Sequence, residues 1–132
     1  MPVAREIVAP RNERLNVSRN LNLPHSPGIR AGDFIFLSGM LSTDPETGER
    51  SPGTMAHETR QTLTNMRHLL ESAGSSLERV VKINLLLYDM LELDNMNAVY
   101  RQFFAKDPPA RTVWSVRIMD AFKVQLDAIA VV

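Results

Sequence analysis

The sequence predicts an α+β fold in which two helices cover one face of a sheet of about six strands. Two long stretches have apolar residues at helical spacing, whereas shorter runs are rich in β-branched residues and leucine. These segments follow one another in the order β-β-α-β-α-β-β, and the early segment REIV is interpreted as an additional edge strand. Two helices can cover only one face of such a sheet, which predicts a layer of helices on a layer of strands.

The N-terminal quarter combines a predicted loop with a predicted hairpin. Asparagine and proline recur over residues 16–28, which favours an irregular loop. The following segment GIRAGDFIFLSGM has strand-forming flanks around Gly32, a residue that tolerates a positive φ. This pattern is typical of a β-hairpin.

Residues 54–74 form the clearest predicted helix. Thr54 is a suitable N-cap and Gly74 a suitable stop. The apolar residues at helical spacing are Leu63, Met66, Leu70 and Ala73. A second helix is predicted over residues 91–104, with one stripe made of Leu93, Met96, Val99, Tyr100 and Phe103. Between them, SSLERVVKINLLLYD predicts a helical turn that leads into a strand.

The last two strands predict that the sheet face away from the helices is also buried. In KVQLDAIAVV, alternate residues are uniformly apolar, whereas the intervening ones change from polar to apolar along the strand. In RTVWSVRI, alternation is interpreted as placing Trp114 toward the helices and Arg111 away from them. A face this mixed suits neither open solvent nor a monomer core, so a homo-oligomer that buries it is expected.

Length and charge restrict the functions open to the chain. A sequence of 132 residues suits one compact domain, so residues 1–132 are expected to form a single domain. Fifteen Lys and Arg residues balance fifteen Asp and Glu residues. No net positive field exists to hold a phosphate backbone, which disfavours nucleic acid as a partner.

The residue types also restrict compartment and metal chemistry. Cysteine is absent, which excludes disulfides and thiolate catalysis and suits a reducing compartment. Neither a secretory signal nor an apolar run of about 18 residues is found, so a cytoplasmic protein without a membrane partner is expected. The three histidines, His25, His57 and His68, lack ligand spacing, and no metal site is expected.

Five segments in a fixed order carry a resemblance to a known family. They are FLSGMLSTDPETGE, ETRQTLTNMRHLLESAGSSLERVVKINLLLYDM, MNAVYRQFF, PPARTVWSV and LDAIAV. Together they resemble the RidA/YjgF family, whose members are also called L-PSP endoribonuclease-like proteins. The resemblance covers roughly residues 25–132, and the ordered set is far more specific than any one motif.

The resemblance implies a chorismate-mutase-like α+β fold, with a mixed six-stranded sheet and two helices on one face. It also implies a homotrimer with three clefts between subunits. Typical members are reactive-intermediate deaminases that hydrolyse 2-imino acids and their enamine tautomers to 2-keto acids and ammonia. They use no metal or organic cofactor, and the expected partner is a small carboxylate-bearing metabolite.

Arg111 matches the arginine of the family motif P-A-R-S. A planar guanidinium can hold a substrate carboxylate with two parallel hydrogen bonds, which a lysine cannot do. From the residues alone, the alternative is an inter-subunit salt bridge, with Asp127 as a candidate partner.

Four further family positions carry over one at a time. Gly39 matches the glycine of an S-G-Q motif that lines the cleft, and Met40 replaces the glutamine of that motif. Val113 matches the position that gives a backbone amide to the ligand, and Asn97 matches an asparagine of the second helix. Asn65 is interpreted as structural, because a buried mid-helix asparagine usually bonds backbone groups.

Two departures from the family pattern bear on the chemistry. His25 stands where a G-P-Y motif has its tyrosine; it is interpreted either as a hydrogen-bonding site residue or as a solvent-exposed loop histidine. Gln125 replaces the glutamate that positions the attacking water. An amide can hold water but cannot take its proton, and losing general-base help costs about 10²–10⁴-fold. Asp127, two residues on, is either a substitute acid or structural.

Three hypotheses follow for the function. The first is hydrolytic deamination of an imine or enamine carboxylate, with Arg111 and Gln125 as the main site residues. The second is a non-catalytic carboxylate-binding trimer, which Gln125 favours. The third is an RNA-acting protein, which neither the charge balance nor a histidine pair supports, because His57 and His68 are three helical turns apart.

Overall fold

A computed structural model describes residues 2–132, which are organised around one six-stranded sheet. The strands are β1 (Arg5–Val8), β2 (Gly28–Ala31), β3 (Phe34–Met40), β4 (Val80–Leu87), β5 (Ala110–Ser115) and β6 (Val124–Val131). The helices are α1 (Val17–Asn20), α2 (Met55–Ser72) and α3 (Leu93–Phe103), with 3-10 turns at Glu13–Leu15, Leu77–Arg79 and Met90–Glu92. The predicted order of elements, including the edge strand β1, is confirmed.

The sheet is mixed, with the strand order β1-β2-β3-β6-β4-β5. β4 and β5 pair in parallel, and α3 lies in the connection between them. Every other neighbouring pair is antiparallel. β2 and β3 form the predicted hairpin, whose turn contains Gly32 at a φ of 59°. β5 is therefore an edge strand, and the C-terminal strand β6 lies in the interior of the sheet.

Helices α2 and α3 pack together on one face of this sheet. The predicted helix of residues 54–74 is confirmed, because Thr54 Oγ1 accepts a hydrogen bond from the His57 N–H and Gly74 follows the helix with a φ of 79°. Buried side chains of both helices meet alternate residues of β3, β4 and β6 in one hydrophobic core. Within residues 2–132, no helix has the length and apolarity that crossing a membrane requires.

The prediction of an irregular loop over residues 16–28 is only partly right. This region contains α1, and a 3-10 turn precedes it. Asn16 is the N-cap of α1, since its side chain accepts a hydrogen bond from the Arg19 N–H. Asparagine favours turns, but it is also among the best N-cap residues, so the same composition fits a short capped helix.

The sheet face opposite the helices carries an apolar patch. Strand pairing aligns Ile7, Ile29, Phe36 and Ile129 across four neighbouring strands. A second row places Phe34 beside Val131. Phe34, Phe36 and Ile7 are 46%, 44% and 67% exposed in the single chain. The expectation of a mixed second face is confirmed: this patch continues into polar residues that include Asn84 and Asp127.

The predicted facing of β5 is wrong. Arg111 pairs with Ile83 and Val113 with Leu85, and both partners lie in the helix-covered core. Trp114 pairs with Leu86, so it projects from the open face and is 46% exposed. The prediction placed the more apolar side of β5 against the helices. It failed because the open face of this sheet also carries apolar residues.

A buried carboxylate ties α2 to the beginning of β6. Glu58 is completely buried, and its two oxygens accept hydrogen bonds from the main-chain N–H groups of Gly53 and Lys123, at 3.0 and 2.8 Å. The Lys123 ammonium lies 3.8 Å from the same carboxylate and donates to the Gly53 carbonyl at 2.6 Å. A buried charge of this kind is stable only when it is paired and hydrogen-bonded.

Replacing Glu58 with alanine is expected to lower the free energy of unfolding by about 3 kcal/mol, because two partly buried N–H groups lose a charged acceptor and a cavity opens. Denaturant titration at one fixed protein concentration measures the loss. The control is Glu71→Ala, at an exposed position of the same helix, with an expected change within about 0.5 kcal/mol. Equal small effects of both substitutions would contradict a stabilising role for the Glu58 network.

Candidate functional site

Helix α3 holds the guanidinium of Arg111 through two side chains. The Arg111 Nη1 donates a hydrogen bond to the Asn97 Oδ1 at 2.8 Å. The Arg111 Cζ lies 4.8 Å from the centroid of the Tyr100 ring, in a cation–π contact. Asn97 and Tyr100 are three residues apart on α3 and therefore share one side of the helix. Asn97 and Tyr100, which are both neutral, thus fix the plane of the guanidinium.

The charge of Arg111 is not neutralised within the chain. Among residues 2–132, no carboxylate oxygen lies within 4 Å of its nitrogens. Asp127, the partner considered in the salt-bridge alternative, instead accepts a hydrogen bond from the Asn84 Nδ2 at 2.9 Å and lies on the opposite sheet face. Since a guanidinium has five N–H donors and Asn97 takes one, several remain for an anionic ligand.

Tyr100 was expected only as a member of the apolar stripe of α3, but it is also a neighbour of the site. Its side chain is 5% exposed, and its hydroxyl is buried without a hydrogen-bond partner among the described residues. Burial raises the pKa of the Tyr100 hydroxyl, and the positive charge of Arg111 opposes this effect. The tyrosine remains neutral at physiological pH. The i, i+3 spacing of Asn97 and Tyr100 is the sequence signal that could have identified it.

Val113 shares the helix-side face with Arg111 and packs against the hydrophobic core. Its strand has a neighbour on one side only, so this sheet edge is accessible to a further hydrogen-bonding partner. The structure therefore brings together Arg111, Asn97 and Val113, three of the predicted site residues, and adds Tyr100. We call these four residues the arginine half-site.

Three other predicted residues line a separate cavity of about 360 Å³, and we call them the glutamine half-site: His25, Gly39 and Gln125. The cavity lies where the segment of residues 15–27, the end of β3 and helix α2 approach one another. The register of β3 against β6 is interrupted between Leu37 and Met40. At this irregularity, Gly39 faces Gln125 so closely that an added Cβ would collide with the Gln125 amide nitrogen.

The remaining predicted residues have distinct positions. His25 is exposed at the cavity wall. Asn65 is 2% exposed; its Nδ2 donates to the Thr43 carbonyl and its Oδ1 accepts from Gln61, both at 2.8 Å. The structural interpretation of Asn65 is thereby confirmed. Asp127 is not part of the cavity wall, because its side chain lies further along the open face beside Asn84.

The two half-sites of one chain are separated by the sheet. Gln125 pairs with Leu86, whereas Arg111 pairs with Ile83, so their side chains project from opposite faces. Strand β4 also lies between β5 and β6, which adds about 10 Å across the sheet. One chain alone cannot place both side chains on the same small ligand.

His57 and His68 each have a hydrogen-bonding partner of their own. His57 Nε2 lies 2.9 Å from the Ser51 hydroxyl, and His68 Nε2 accepts a hydrogen bond from the Asn12 N–H at 3.0 Å. Within the described part of the chain, no three His, Cys, Asp or Glu side chains cluster as metal ligands would.

Comparison with known proteins identifies the family. The family model described as Endoribonuclease L-PSP matches residues 19–132. This chain belongs to the L-PSP endoribonuclease family, also called RidA/YjgF. The matched range contains all seven predicted site residues: His25, Gly39, Asn97, Arg111, Val113, Gln125 and Asp127.

Individual members of the RidA/YjgF family are similar over most of their length. A RutC family protein of Pyrococcus horikoshii is 40% identical over 81% of this chain and 86% of its own. The 2-iminobutanoate/2-iminopropanoate deaminase of Bos taurus is 37% identical over 82% of this chain and 80% of its own. The crystal structure of E. coli TdcF with bound serine matches with a TM-score of 0.76 at 30% identity, over 82% of this chain and 87% of that one.

The contact between Gly39 and Gln125 predicts that substitutions at these two positions change the unfolding free energy non-additively. Gly39→Ala is expected to destabilise the protein by about 1 kcal/mol more in the wild-type background than in the Gln125→Ala background, because the new methyl group displaces the Gln125 side chain. Unfolding free energies of both single variants and the double variant, at equal protein concentration, measure this difference. Additivity within about 0.3 kcal/mol would contradict the close approach.

Proposed function

We propose that this protein is an imine deaminase that binds small 2-keto and 2-imino carboxylates in clefts between the subunits of a homotrimer. The reaction is hydrolysis of an imine or enamine intermediate to a 2-keto acid and ammonia. Membership of the RidA/YjgF family supports the reaction class, since relatives include a 2-iminobutanoate/2-iminopropanoate deaminase. Neither a metal nor an organic cofactor takes part in the proposed reaction.

The observation that carries the proposal is the guanidinium of Arg111. It is half-buried, oriented by Asn97 and Tyr100, and has no acidic partner among residues 2–132. A partly buried, unpaired cation at a sheet edge is costly unless an anion binds it. A planar carboxylate offers the two parallel acceptors that fit the guanidinium fork. The bound serine of E. coli TdcF also carries a carboxylate.

The separation of the half-sites supports a cleft between chains. A ligand held by Arg111 of one chain can meet only the Gln125 of another, because the sheet separates the two side chains within one chain. The apolar patch around Phe34, Phe36 and Ile129 supplies a surface that association would bury. A homotrimer with a chorismate-mutase-like fold, formed by one domain over residues 1–132, is proposed on this basis.

The chemistry assigns each side chain a separate task. Arg111 binds the carboxylate next to the imine carbon, and the main-chain N–H of Val113 offers a further hydrogen bond. Gln125 holds a water molecule over the imine carbon, with Gly39 leaving room and His25 as an additional hydrogen-bonding group. The water oxygen forms a bond to that carbon while one of its protons passes to the imine nitrogen, which gives a carbinolamine. The hydroxyl proton then passes to the nitrogen, the carbon–oxygen double bond forms as the carbon–nitrogen bond breaks, and ammonia leaves the 2-keto acid. Gln125 cannot accept the proton of the water, which limits the rate.

A second candidate is a carboxylate-binding trimer without catalysis. Gln125 favours it, because an amide occupies the position of the usual base. Asp127 is a weak substitute acid, since it lies outside the cavity wall and its carboxylate is engaged by Asn84. Binding of a 2-keto acid without hydrolysis of any imine would support this candidate. A cytoplasmic location, without a membrane or nucleic-acid partner, is proposed for either function.

Substitutions at Arg111 test the carboxylate anchor. Arg111→Ala and Arg111→Lys are both expected to weaken 2-oxobutanoate binding at least about tenfold, because charge-assisted hydrogen bonds contribute about 1.5–3 kcal/mol each and lysine lacks the planar fork. Isothermal titration calorimetry measures the dissociation constants. The control is Arg101→Ala, an exposed arginine of the same helix α3, with affinity expected within twofold of wild type. Unchanged affinity of the Arg111 variants would refute the anchor.

Substitution of Gln125 tests the catalytic limit. Gln125→Glu is expected to raise the hydrolysis rate of 2-iminobutanoate by about 10²–10⁴-fold, because a carboxylate can accept the proton of the attacking water. The rate is followed as loss of an imine generated in situ. Gln125→Met, of similar size but without hydrogen-bonding groups, is expected to lower the wild-type rate. A Gln125→Glu variant no faster than wild type, with 2-oxobutanoate still bound, would mean that Gln125 does not limit the reaction.

A further inference from the structure

We propose that the cavity beside Gln125 takes the side chain of the substrate, so that the protein prefers imines with a long apolar side chain to the imine of alanine. This inference rests on the proposed function and specifies its substrate class. It is carried by three properties of the cavity: its lining, its size and its position next to the reacting carbon.

The lining of the cavity is mainly apolar. Its apolar side chains come from the segment of residues 15–27, the end of β3 and helix α2, and they include Leu15, Val17, Leu23, Met40, Leu41 and Leu69. Met40 stands at the S-G-Q motif, where the family pattern has a glutamine. This substitution replaces an amide with a thioether at the wall, and methionine adapts well to irregular apolar ligands.

Most polar groups at the wall already have partners inside the protein. These partners are the Asn16 side chain for Ser18, the Ser26 carbonyl for Ser38, and the Thr43 carbonyl with Gln61 for Asn65. Arg50 forms an ion pair with Asp120. The polar lining side chains with no hydrogen bond to another described residue are His25, Thr43 and Gln125. A ligand group that enters this mainly apolar cavity therefore gains chiefly from burial of apolar surface.

The size of the cavity exceeds the needs of a small substituent. Its volume of about 360 Å³ falls in the range of pockets that hold whole small molecules, roughly 300–1,000 Å³. A methyl or ethyl group would leave most of this apolar space unfilled. Each additional methylene that contacts an apolar wall changes the specificity of an enzyme by about 10–200-fold.

The position of Gln125 connects this cavity to the reaction. The imine carbon has three substituents: the carboxylate, the nitrogen and the side chain. With the carboxylate on Arg111 of one chain and the imine carbon beside Gln125 of another, the side chain is the substituent left to enter the apolar space that Gln125 borders. A branched four-carbon side chain such as that of leucine fits this description.

The test compares the imines of leucine and alanine, each generated in situ by an amino-acid oxidase. At equal imine concentration, wild-type hydrolysis is expected to be at least about tenfold faster for the leucine imine. Met40→Gln is expected to lower this ratio about tenfold, because it puts an amide into the apolar wall. The control is Met90→Gln, at an exposed methionine outside the cavity, which is expected to leave the ratio within twofold. Affinities for 4-methyl-2-oxopentanoate and pyruvate provide a second readout that requires no catalysis.

The outcomes separate this inference from the proposed function. Hydrolysis of both imines at similar rates would overturn the preference while leaving the deaminase proposal intact. If neither imine is hydrolysed but 4-methyl-2-oxopentanoate binds at least about tenfold more tightly than pyruvate, the cavity assignment is supported and the catalytic proposal fails. If neither 2-keto acid binds, both are overturned. If Met40→Gln leaves the ratio of the two hydrolysis rates unchanged, the side chain of the substrate lies elsewhere.

Discussion

The register of β5 against β4 is the constraint on which the site depends. Because Arg111 pairs with Ile83, its side chain projects toward the helices, where Asn97 and Tyr100 can hold it. A shift of one residue would turn it to the open face, since side chains alternate along a strand. The parallel β4-α3-β5 connection fixes this register and supplies α3 as the support. Gln125 lies on the other face, so the proposed site needs a second chain to complete it.

Much of the fold could be predicted from the sequence, because its local signals agree with its tertiary structure. Thr54 and Gly74 mark the ends of α2, and Gly32 marks the hairpin turn. The facing of β5 could not be predicted in this way. Alternation shows which residues share a face but not which face meets the helices, and here both faces carry apolar residues. Strand order resolves this question, because it reveals Ile83 and Leu85 as neighbours of Arg111 and Val113.

The sequence motifs named the residues of the candidate site, but not their division between two faces of the sheet. The family motifs predicted one set of site residues, whereas the structure places Arg111, Asn97 and Val113 together and Gly39, Gln125 and His25 in a separate group. Neither the contact of Tyr100 with Arg111 nor the hydrogen bonds of Glu58 could be predicted, because a tyrosine in an apolar stripe and a glutamate in a helix are ordinary residues. Their importance arises from burial, which forces Tyr100 against a guanidinium and makes Glu58 bind main-chain N–H groups.

In the proposed function, Gln125 at the position of the family's glutamate separates binding from catalysis. The arginine half-site is complete in the sense that its cation is oriented and available, whereas the glutamine half-site provides space and a water-binding amide without a base. Under the proposal, the apolar cavity beside Gln125 offers binding energy from the remainder of the substrate. Such remote binding energy can compensate in part for weak chemical catalysis, because it holds the reacting carbon in place.

The most direct test of this account is a crystal structure of the protein with bound 2-oxobutanoate. The account predicts a carboxylate with two hydrogen bonds to Arg111 of one chain, and a 2-carbon beside Gln125 of a neighbouring chain. A ligand that contacts Gln125 without any arginine from a second chain, or one that binds away from Arg111, would contradict it.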